Sequence, residues 1–495
     1  NDLFFLLLFF AVCLSIYIRA YQKGVYITAD SAGYLREAVN LVNGNGFAYD
    51  GMAGYRSWFA NWPIIYPAMI AMVMVITKAN AYLASKIVAM LIVAGILILM
   101  RIVFKEDAWV YALCLTNIGF LNLTYYTWSE IPFMLFLAAY TLVLAKTLNE
   151  KEPKIKWYVL LSILGLCCFL TRYFGIYVFI VTGLYILCMA IQYCKKKDGL
   201  LIKKAVSLTI SSFLSGICCL AYLMMNKIMN GKASGVSRTL WWDDYEKLTN
   251  DLIESLLTEF FNIFSLQIPD LIEGFPYEMK VFVLGVIIMG AAVFVGRHAK
   301  FFGRESVMIT MGILYYLIFI AIRYVSSMDT FYFRFFEPAT FLICIGLIGL
   351  LLPYLKGKKA FCFFGGGVTA MILIAVISLC MNAGVKTTGG YYEQLTAQWE
   401  EQYEEIPEKS VIIFNDIDFR SSYYRPDVME GMITPQDTFE NIRETYYGSD
   451  YLCIRREFAQ SMLESGEYEQ SIVKHLQEGM DTQDSQKEFL VISLK

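Results

Sequence analysis

The chain has 495 residues, of which 57% are hydrophobic and only 17% are charged, so it is not a wholly water-soluble protein. The formal net charge of −3 hides an asymmetry, because residues 386–495 hold 22 acidic and 10 basic residues, whereas residues 1–385 hold 22 and 31. This difference predicts a slightly basic membrane domain over 1–385 and an acidic soluble domain over 386–495.

Apolar runs recur along the first domain, and most approach the ~20 residues that an α-helix needs to cross a hydrocarbon core. We therefore predict an α-helical polytopic membrane protein with about 11–13 transmembrane helices. Residues 3–18 could also be the core of a signal peptide, but no small-residue cleavage site follows them, which favours a first helix. The predicted spans are 3–18, 62–77, 82–103, 108–126, 128–147, 157–171, 173–193, 205–227, 278–296, 305–323, 336–355 and 360–382.

Short basic loops orient these spans. The segments 195–204, 296–304 and 356–359 are cationic and should face the cytoplasm, which places loop 228–277, residues 324–335 and the acidic tail outside. One conflict remains, because counting forward from an outer loop at 19–61 puts 195–204 outside as well. Either one segment within 62–126 is re-entrant, or a helix there has been wrongly divided or merged.

The first loop contains the stretch "ITADSAGYLREAVNLVNGNGF" (27–47), within which residues 34–42 form a short amphipathic segment. Its apolar and polar side chains alternate with helical spacing, which predicts an interfacial helix lying flat on the membrane and ending at Asn43-Gly44. Asp30 stands at the N-terminal edge of this helix. A helix N-cap would explain that residue; the alternative is a general base held at the mouth of a membrane cavity.

Further polar motifs follow in the apolar region: "YYTWSEIPF" (125–133), "LTRYFG" (170–175), "NGKASGVSR" (230–238) and "FRFFEPA" (333–339). Together with Asp30, Tyr34, the "NGNGF" turn and Tyr66-Pro67, their order and spacing over most of residues 1–385 resemble the GT-C glycosyltransferases. The nearest branch is that of the protein O-mannosyltransferases and lipid A aminoarabinose transferases. Two features depart from the family pattern. Ser31 stands where close relatives often carry a second acid, and the acidic tail has no counterpart.

The resemblance implies an inverting glycosyltransferase that moves a sugar from a polyprenyl (undecaprenyl) phosphate to an extracytoplasmic glycan, lipid or protein. It implies Asp30 as the catalytic base. Arg172 and Arg334 would bind the donor phosphate, because guanidinium groups stabilise a phosphate leaving group well. The further substrate-binding residues that it implies are Tyr34, Arg56, Glu130, Tyr173, Arg238 and Glu337.

Other interpretations stay open at this point. Arg172 and Arg334 could snorkel to the interface or form ion pairs with Glu130, Asp329 or Glu337. A transporter or flippase of lipid-linked sugars is the main alternative function, although the sequence shows no inverted repeat. A non-catalytic receptor that displays the acidic tail is a third.

Neither a metal nor a cofactor is expected, since the chain has two histidines, in different regions, and no nucleotide-binding glycine motif. No basic face suggests nucleic acid as a partner; the expected surroundings are a bilayer, in a bacterial cell membrane. Patterning in the tail predicts an extracytoplasmic α/β domain above the cavity, with strands at 410–416, 450–456 and 488–494 and helices at 391–406 and 460–478.

Overall fold

The apolar region folds as a bundle of long helices. The computed structural model describes residues 2–20, 28–49, 57–151, 154–234, 245–264, 272–326, 331–355, 406–413, 428–431, 433–446, 449–484, 487 and 489–495. Eight helical segments among these residues are long and apolar enough to cross a membrane. The helices are α1 (Asp2–Ala20), α2 (Ala29–Val42), α3 (Ile65–Thr77), α4 (Ala81–Phe104), α5 (Ala108–Ala112), α6 (Ile118–Tyr125), α7 (Glu130–Asn149), α8 (Ile155–Thr171), α9 (Tyr177–Lys196), α10 (Gly199–Asn230), α11 (Tyr245–Ile263), α12 (Tyr277–His298), α13 (Arg304–Val325) and α14 (Phe333–Leu355).

Nine of the predicted spans coincide with single helices, namely α1, α4, α7 to α10 and α12 to α14. The span predicted at 108–126 is broken into α5, a short 3₁₀ turn (Leu113–Thr116) and α6. Two contacts show that these pieces still cross the bundle together. The Tyr111 ring stacks on Phe104 at the end of α4, at 3.6 Å between centroids, whereas Tyr125 is hydrogen-bonded to Ser15 near the end of α1.

The end of the bundle that carries α2, called the α2 end here, also carries the start of α4. Trp128 Nε1 donates to Thr28 Oγ1 just before α2, at 2.9 Å. The neighbouring Thr127 is hydrogen-bonded to Ser85 in the first turns of α4, at 2.8 Å. Since α3 also begins at this end, with Tyr66 against Tyr34 of α2 at 5.0 Å, α3 starts and finishes on one side.

The prediction of a membrane span at 62–77 is therefore wrong. Helix α3 has 13 residues, which gives a length of about 20 Å, too short for a hydrocarbon core of about 30 Å. Five of its residues are buried in the bundle, whereas Met72, Val75 and Ile76 are exposed, and its two ends lie on the same side. Removing this segment from the count of membrane crossings resolves the conflict in the predicted topology.

Both described basic loops lie at the opposite end of the bundle. Helix α7 runs from Glu130 at the α2 end to Asn149, whose Nδ2 donates to the Phe302 carbonyl in the loop 296–304 at 2.6 Å. Lys204 donates to the Leu148 carbonyl at 2.7 Å. The first loop and the basic loops are thus on opposite sides of the bundle, which is the arrangement that the charge pattern predicts.

The tail contains a small α/β unit whose elements are β3 (Ser410–Ile413), β4 (Met429–Gly431), α15 (Phe439–Thr445), β5 (Tyr451–Arg455), α16 (Arg456–Ser465), α17 (Gln470–Thr482) and β6 (Phe489–Ser493). The sheet order is β4-β3-β5-β6, with β3 parallel to both neighbours and β6 antiparallel to β5. One helix was expected at 460–478, but Gly466 has φ +64° and divides it into α16 and α17. The predicted span 360–382 lies outside the described residues, as does the predicted helix 391–406 apart from its last residue.

Candidate active site

Helix α2 is present, and Asp30 lies at its N-terminal edge as expected, although not as the N-cap. Its N-cap is Thr28, whose hydroxyl accepts from the Ser31 amide at 3.3 Å and from Trp128 Nε1 at 2.9 Å. Asp30 is the second residue of the helix, so the N-cap interpretation of Asp30 is wrong. The helix ends at Asn43-Gly44 as expected, since Gly44 has φ +77° and left-handed residues commonly end helices.

The polar face of α2 is also buried, so protein covers both faces of this helix, whereas the amphipathic pattern predicts that the polar face is exposed to water. Arg36, Glu37 and Asn40 are all buried along with the apolar residues. The loop that follows is closed by a two-residue hairpin, β1 (Ala48–Tyr49) and β2 (Ser57–Trp58). Because the carbonyl of Trp58 accepts from Asn230 of α10 at 2.8 Å, the first loop is fastened to the bundle.

Asp30 forms an ion pair with Arg334. Its Oδ2 lies 2.5 Å from Arg334 Nη2, and the Asp30 side chain is 26% exposed while that of Arg334 is almost wholly buried. Arg334 is the second residue of α14. Residues 304 positions apart in the chain are thus brought into direct contact, as a catalytic base and a phosphate-binding arginine of one active site must be.

Glu130, the first residue of α7, joins both arginines. Its Oε1 pairs with Arg334 Nε and with Arg172 Nη1, and its side chain is 0% exposed. Its Oε2 has no hydrogen-bond partner among the described residues. The alternative interpretation, that the arginines form ion pairs with Glu130, is therefore confirmed. It does not exclude a shared site, because Asp30 also contacts Arg334.

Aromatic rings and hydroxyls surround the two guanidinium groups. The Arg334 guanidinium lies over the Trp128 ring at 4.3 Å, and Tyr126 stacks on the other side of that indole at 3.9 Å. Arg172 donates to Ser129 Oγ at 3.3 Å. Stacking of this kind fixes the plane of a guanidinium and so fixes the direction of its donors.

Tyr34, on α2, contacts the same cluster through Ser129. Its hydroxyl donates to Ser129 Oγ at 2.8 Å. Burial, together with the negative charge of Asp30, raises the pKa of Tyr34 above its usual range. The phenol therefore stays neutral and acts as a hydrogen-bond donor at neutral pH.

The segment 126–129 that carries these groups is a break between α6 and α7, and a buried lysine stabilises it. Lys86 of α4 is 1% exposed and donates to the Tyr125 carbonyl and to Thr127. Lys86, Trp128 and Ser129 are parts of the site that were not predicted from the sequence. Lys86 could have been identified from the sequence, because a charged residue inside an apolar span indicates a structural or functional contact.

The remaining predicted site residues lie elsewhere or outside the described residues. Tyr173 donates to the Ala60 carbonyl at 2.7 Å and accepts from Asn226 at 2.9 Å, so its contacts fasten the first loop to α10. Glu337 is buried and accepts from Asn117 at 2.9 Å. The structure does not bring either residue into contact with Asp30 or the two arginines. Arg56, Arg238 and Asp329 lie outside the described residues.

The described part of the chain holds no group of three or more His, Cys, Asp or Glu side chains able to hold a metal ion. The groups that converge at the α2 end are instead two carboxylates and two guanidinium groups, in a setting that is mostly buried. Such a set can accept a proton at the exposed acid and bind an anion at the arginines.

No protein-family model matches the chain, and no curated protein matches its sequence. Among solved structures it is similar to the apo oligosaccharyltransferase of Archaeoglobus fulgidus, with 13% identity, a TM-score of 0.50, and coverage of 92% of this chain and 70% of that one. It is also similar to ArnT from Cupriavidus metallidurans bound to undecaprenyl phosphate, with 9% identity, a TM-score of 0.45, and coverage of 99% and 98%. The first of these likenesses establishes the architecture: the chain has the fold of the GT-C glycosyltransferases.

Proposed function

We propose that this protein is an inverting glycosyltransferase that moves a sugar from a polyprenyl phosphate to an acceptor hydroxyl at the membrane surface. The observation that carries the proposal is the contact of Asp30 with Arg334, and of Arg334 and Arg172 with one carboxylate. The structural likeness to an oligosaccharyltransferase supports glycosyl transfer as the reaction class.

Asp30 is the base in this proposal. Its side chain is 26% exposed, against 14% for Arg172, 9% for Arg334 and 0% for Glu130. An acceptor hydroxyl that approaches from the aqueous side can therefore reach it. The acceptor oxygen attacks the anomeric carbon while the bond to the phosphate oxygen breaks, and the acceptor proton passes to Asp30. A single displacement of this kind inverts the anomeric configuration.

Arg172 and Arg334 stabilise the departing phosphate. A guanidinium presents paired donors whose geometry matches phosphate oxygens, and donors that are already oriented stabilise developing charge most effectively. Trp128 and Ser129 hold the two guanidinium groups in place. The roles proposed for Tyr34 and Glu130 are to support this arrangement, while Arg56, Tyr173, Arg238 and Glu337 remain proposals for substrate contact.

Transfer of sugar by purified enzyme tests the proposal. A panel of undecaprenyl-phosphate sugars is incubated with glycan, lipid and peptide acceptors, and products are identified by mass spectrometry. Asp30→Asn keeps the size of the side chain and removes the base, so the rate should fall by roughly 10² or more. Glu246→Gln, an exposed acid on α11, is the control. Transfer by Asp30→Asn at the wild-type rate would show that the base lies elsewhere.

We further propose that the α2 end faces the extracytoplasmic side, as does the acidic α/β domain. The support is the position of the basic loops 195–204 and 296–304 opposite α2. Labelling with a membrane-impermeant maleimide in intact cells tests it, using Lys232→Cys at the α2 end and Lys300→Cys at the opposite end, each in a Cys194→Ser background. Only the first should react, and the reverse pattern would invert the orientation.

A further inference from the structure

The four charged groups of the site sum to zero. Arg172 and Arg334 carry +2, and Glu130 and Asp30 carry −2, with each carboxylate in direct contact with at least one guanidinium. Among the described residues, the other titratable groups near Asp30 and Glu130 are the phenols of Tyr34, Tyr66 and Tyr315, which are neutral; the Ser129 hydroxyl also lies here. A site of this kind has no net charge with which to attract an anion while Asp30 is ionised.

The two acids differ in their access to water. Glu130 is 0% exposed and its Oε1 is shared by both guanidinium groups, whereas Asp30 is 26% exposed and, of these two guanidinium groups, is paired with that of Arg334. Protonation of Glu130 would leave two buried cations without their common partner, which is costly. Protonation of Asp30 would remove one ion pair at the rim. Asp30 is therefore the acid whose charge can change during a reaction cycle.

We propose that Asp30 and Arg334 form a charge switch, in which the proton that Asp30 takes from the acceptor releases Arg334 to bind the leaving phosphate. This inference rests on the proposed function and extends it to the spent lipid carrier. Loss of the same proton to water restores the Asp30–Arg334 ion pair and expels that carrier. Glu130 is a positioning residue that keeps Arg172 and Arg334 together throughout.

The charges balance at each step. The donor is a phosphodiester with one negative charge, and the product carrier is a phosphomonoester with two. As the bond between the anomeric carbon and the phosphate oxygen breaks, its electron pair stays on that oxygen. The acceptor proton moves to Asp30 in the same event, so the ligand changes from −1 to −2 while the protein cluster changes from 0 to +1. The stronger anion thus forms as the guanidinium becomes free.

Product release follows from the exposure of Asp30. When the acid loses its proton to water, the carboxylate again competes for Arg334, and the dianionic monoester faces a neutral cluster. Charge-assisted hydrogen bonds weaken when their donor is shared with a second anion. The switch therefore favours the phosphodiester donor over the spent carrier between turnovers, which limits product inhibition.

Binding of undecaprenyl monophosphate to purified protein in detergent tests the proposal without depending on turnover. Asp30→Asn mimics the protonated acid, so it should bind this monoester at least about tenfold more tightly than the wild type. Asp30→Ala should do the same if Asn interferes with Arg334. Glu246→Gln removes an exposed acid outside the four-charge cluster and should leave the affinity unchanged, and inorganic phosphate measures the contribution of the headgroup without the lipid.

The outcomes separate this inference from the proposed function. Equal or weaker monoester binding by both Asp30 variants would overturn the charge switch, even if both have lost sugar transfer. Sugar transfer by Asp30→Asn at the wild-type rate would instead remove Asp30 as the base and the switch with it. If neither the wild type nor the variants bind undecaprenyl monophosphate above the inorganic phosphate control, a polyprenyl phosphate is not the ligand and both proposals fail.

Discussion

Glu130→Gln is the substitution that tests the buried part of the site most directly. The carboxylate is fully buried and its Oε1 pairs with two guanidinium groups. Glutamine keeps the shape but removes the charge, so the cluster changes from neutral to +1 inside a region of low dielectric. Removing one partner of a buried ion pair destabilises a protein by about 3–5 kcal/mol. The amide of glutamine can still accept one hydrogen bond, so we expect the lower part of that range.

The assay is thermal unfolding in detergent, with and without undecaprenyl monophosphate. The midpoint of Glu130→Gln should lie below that of the wild type, and the lipid phosphate should raise it by more than it raises the wild-type midpoint, because the ligand supplies the missing anion. Glu305→Gln is the matched control, since Glu305 also pairs with an arginine in a first helical turn but is partly exposed. Exposed pairs contribute at most about 1 kcal/mol.

One result would refute this reasoning. If Glu130→Gln unfolds at the wild-type temperature and gains no extra stability from the lipid phosphate, Glu130 does not neutralise two buried cations. If Glu130→Gln lowers the unfolding midpoint but the lipid phosphate raises it no more than in the wild type, Glu130 stabilises the bundle and the arginines do not bind the phosphate.

Substitutions at three further positions test two groups beside this cluster, Lys86 and Trp128, and one buried acid elsewhere in the bundle, Glu259. Lys86→Met leaves the Tyr125 carbonyl at the α6–α7 break without the Lys86 donor, which should destabilise the fold by about 1–3 kcal/mol and lower the rate of sugar transfer. Unchanged unfolding and transfer would show that the conformation of the break does not depend on Lys86. Trp128→Phe keeps a ring beside Arg334 but loses the hydrogen bond to the α2 cap, so we expect about 1 kcal/mol lower stability and a smaller loss of transfer than with Trp128→Ala. Burial raises the pKa of Glu259 to about 7, and since the folded state then binds the proton more tightly, stability should fall as pH rises from about 4.5 to 7. The buried Glu337 carboxyl interacts with Glu259, so Glu259→Gln should reduce that slope in pH-dependent unfolding, and an unchanged slope would assign it to another group.

Local patterns in the sequence predicted the elements that depend on local physics. Most membrane helices follow from apolar runs of sufficient length, and the end of α2 follows from Asn43-Gly44, because few residues other than glycine and asparagine adopt the left-handed conformation. Strands β3, β5 and β6 follow from short runs rich in β-branched residues. These features need no knowledge of distant contacts.

Two errors have the opposite cause. Thr28 and Asp30 both have side chains that cap helices, and the choice between them depends on a hydrogen bond from Trp128, 100 residues away. Helix α3 is as apolar as a membrane span, so hydropathy alone cannot show that it stays on one side. Only its 13-residue length and its contacts with α2 and α4 do so.

The sequence predicts all four members of the charged cluster as site residues, but it cannot predict which carboxylate pairs with which arginine. Glu130 was considered as a partner of either arginine, and the structure shows that it binds both. Glu337 was considered as well, but it turns towards Asn117. Both glutamates lie in the first turns of apolar helices, so only the packing of those helices distinguishes them.

The location of the cluster at helix starts adds a final argument about its ligand. Asp30, Glu130 and Arg334 each lie in the first two residues of a helix, α2, α7 and α14. The start of a helix carries a partial positive charge of about +0.5, which favours carboxylates and disfavours a guanidinium. Arg334 is therefore stable there because Asp30 and Glu130 face it. When Asp30 is protonated, the helix starts and the two guanidinium groups together favour another anion beside Arg334, which is where the leaving phosphate would be bound.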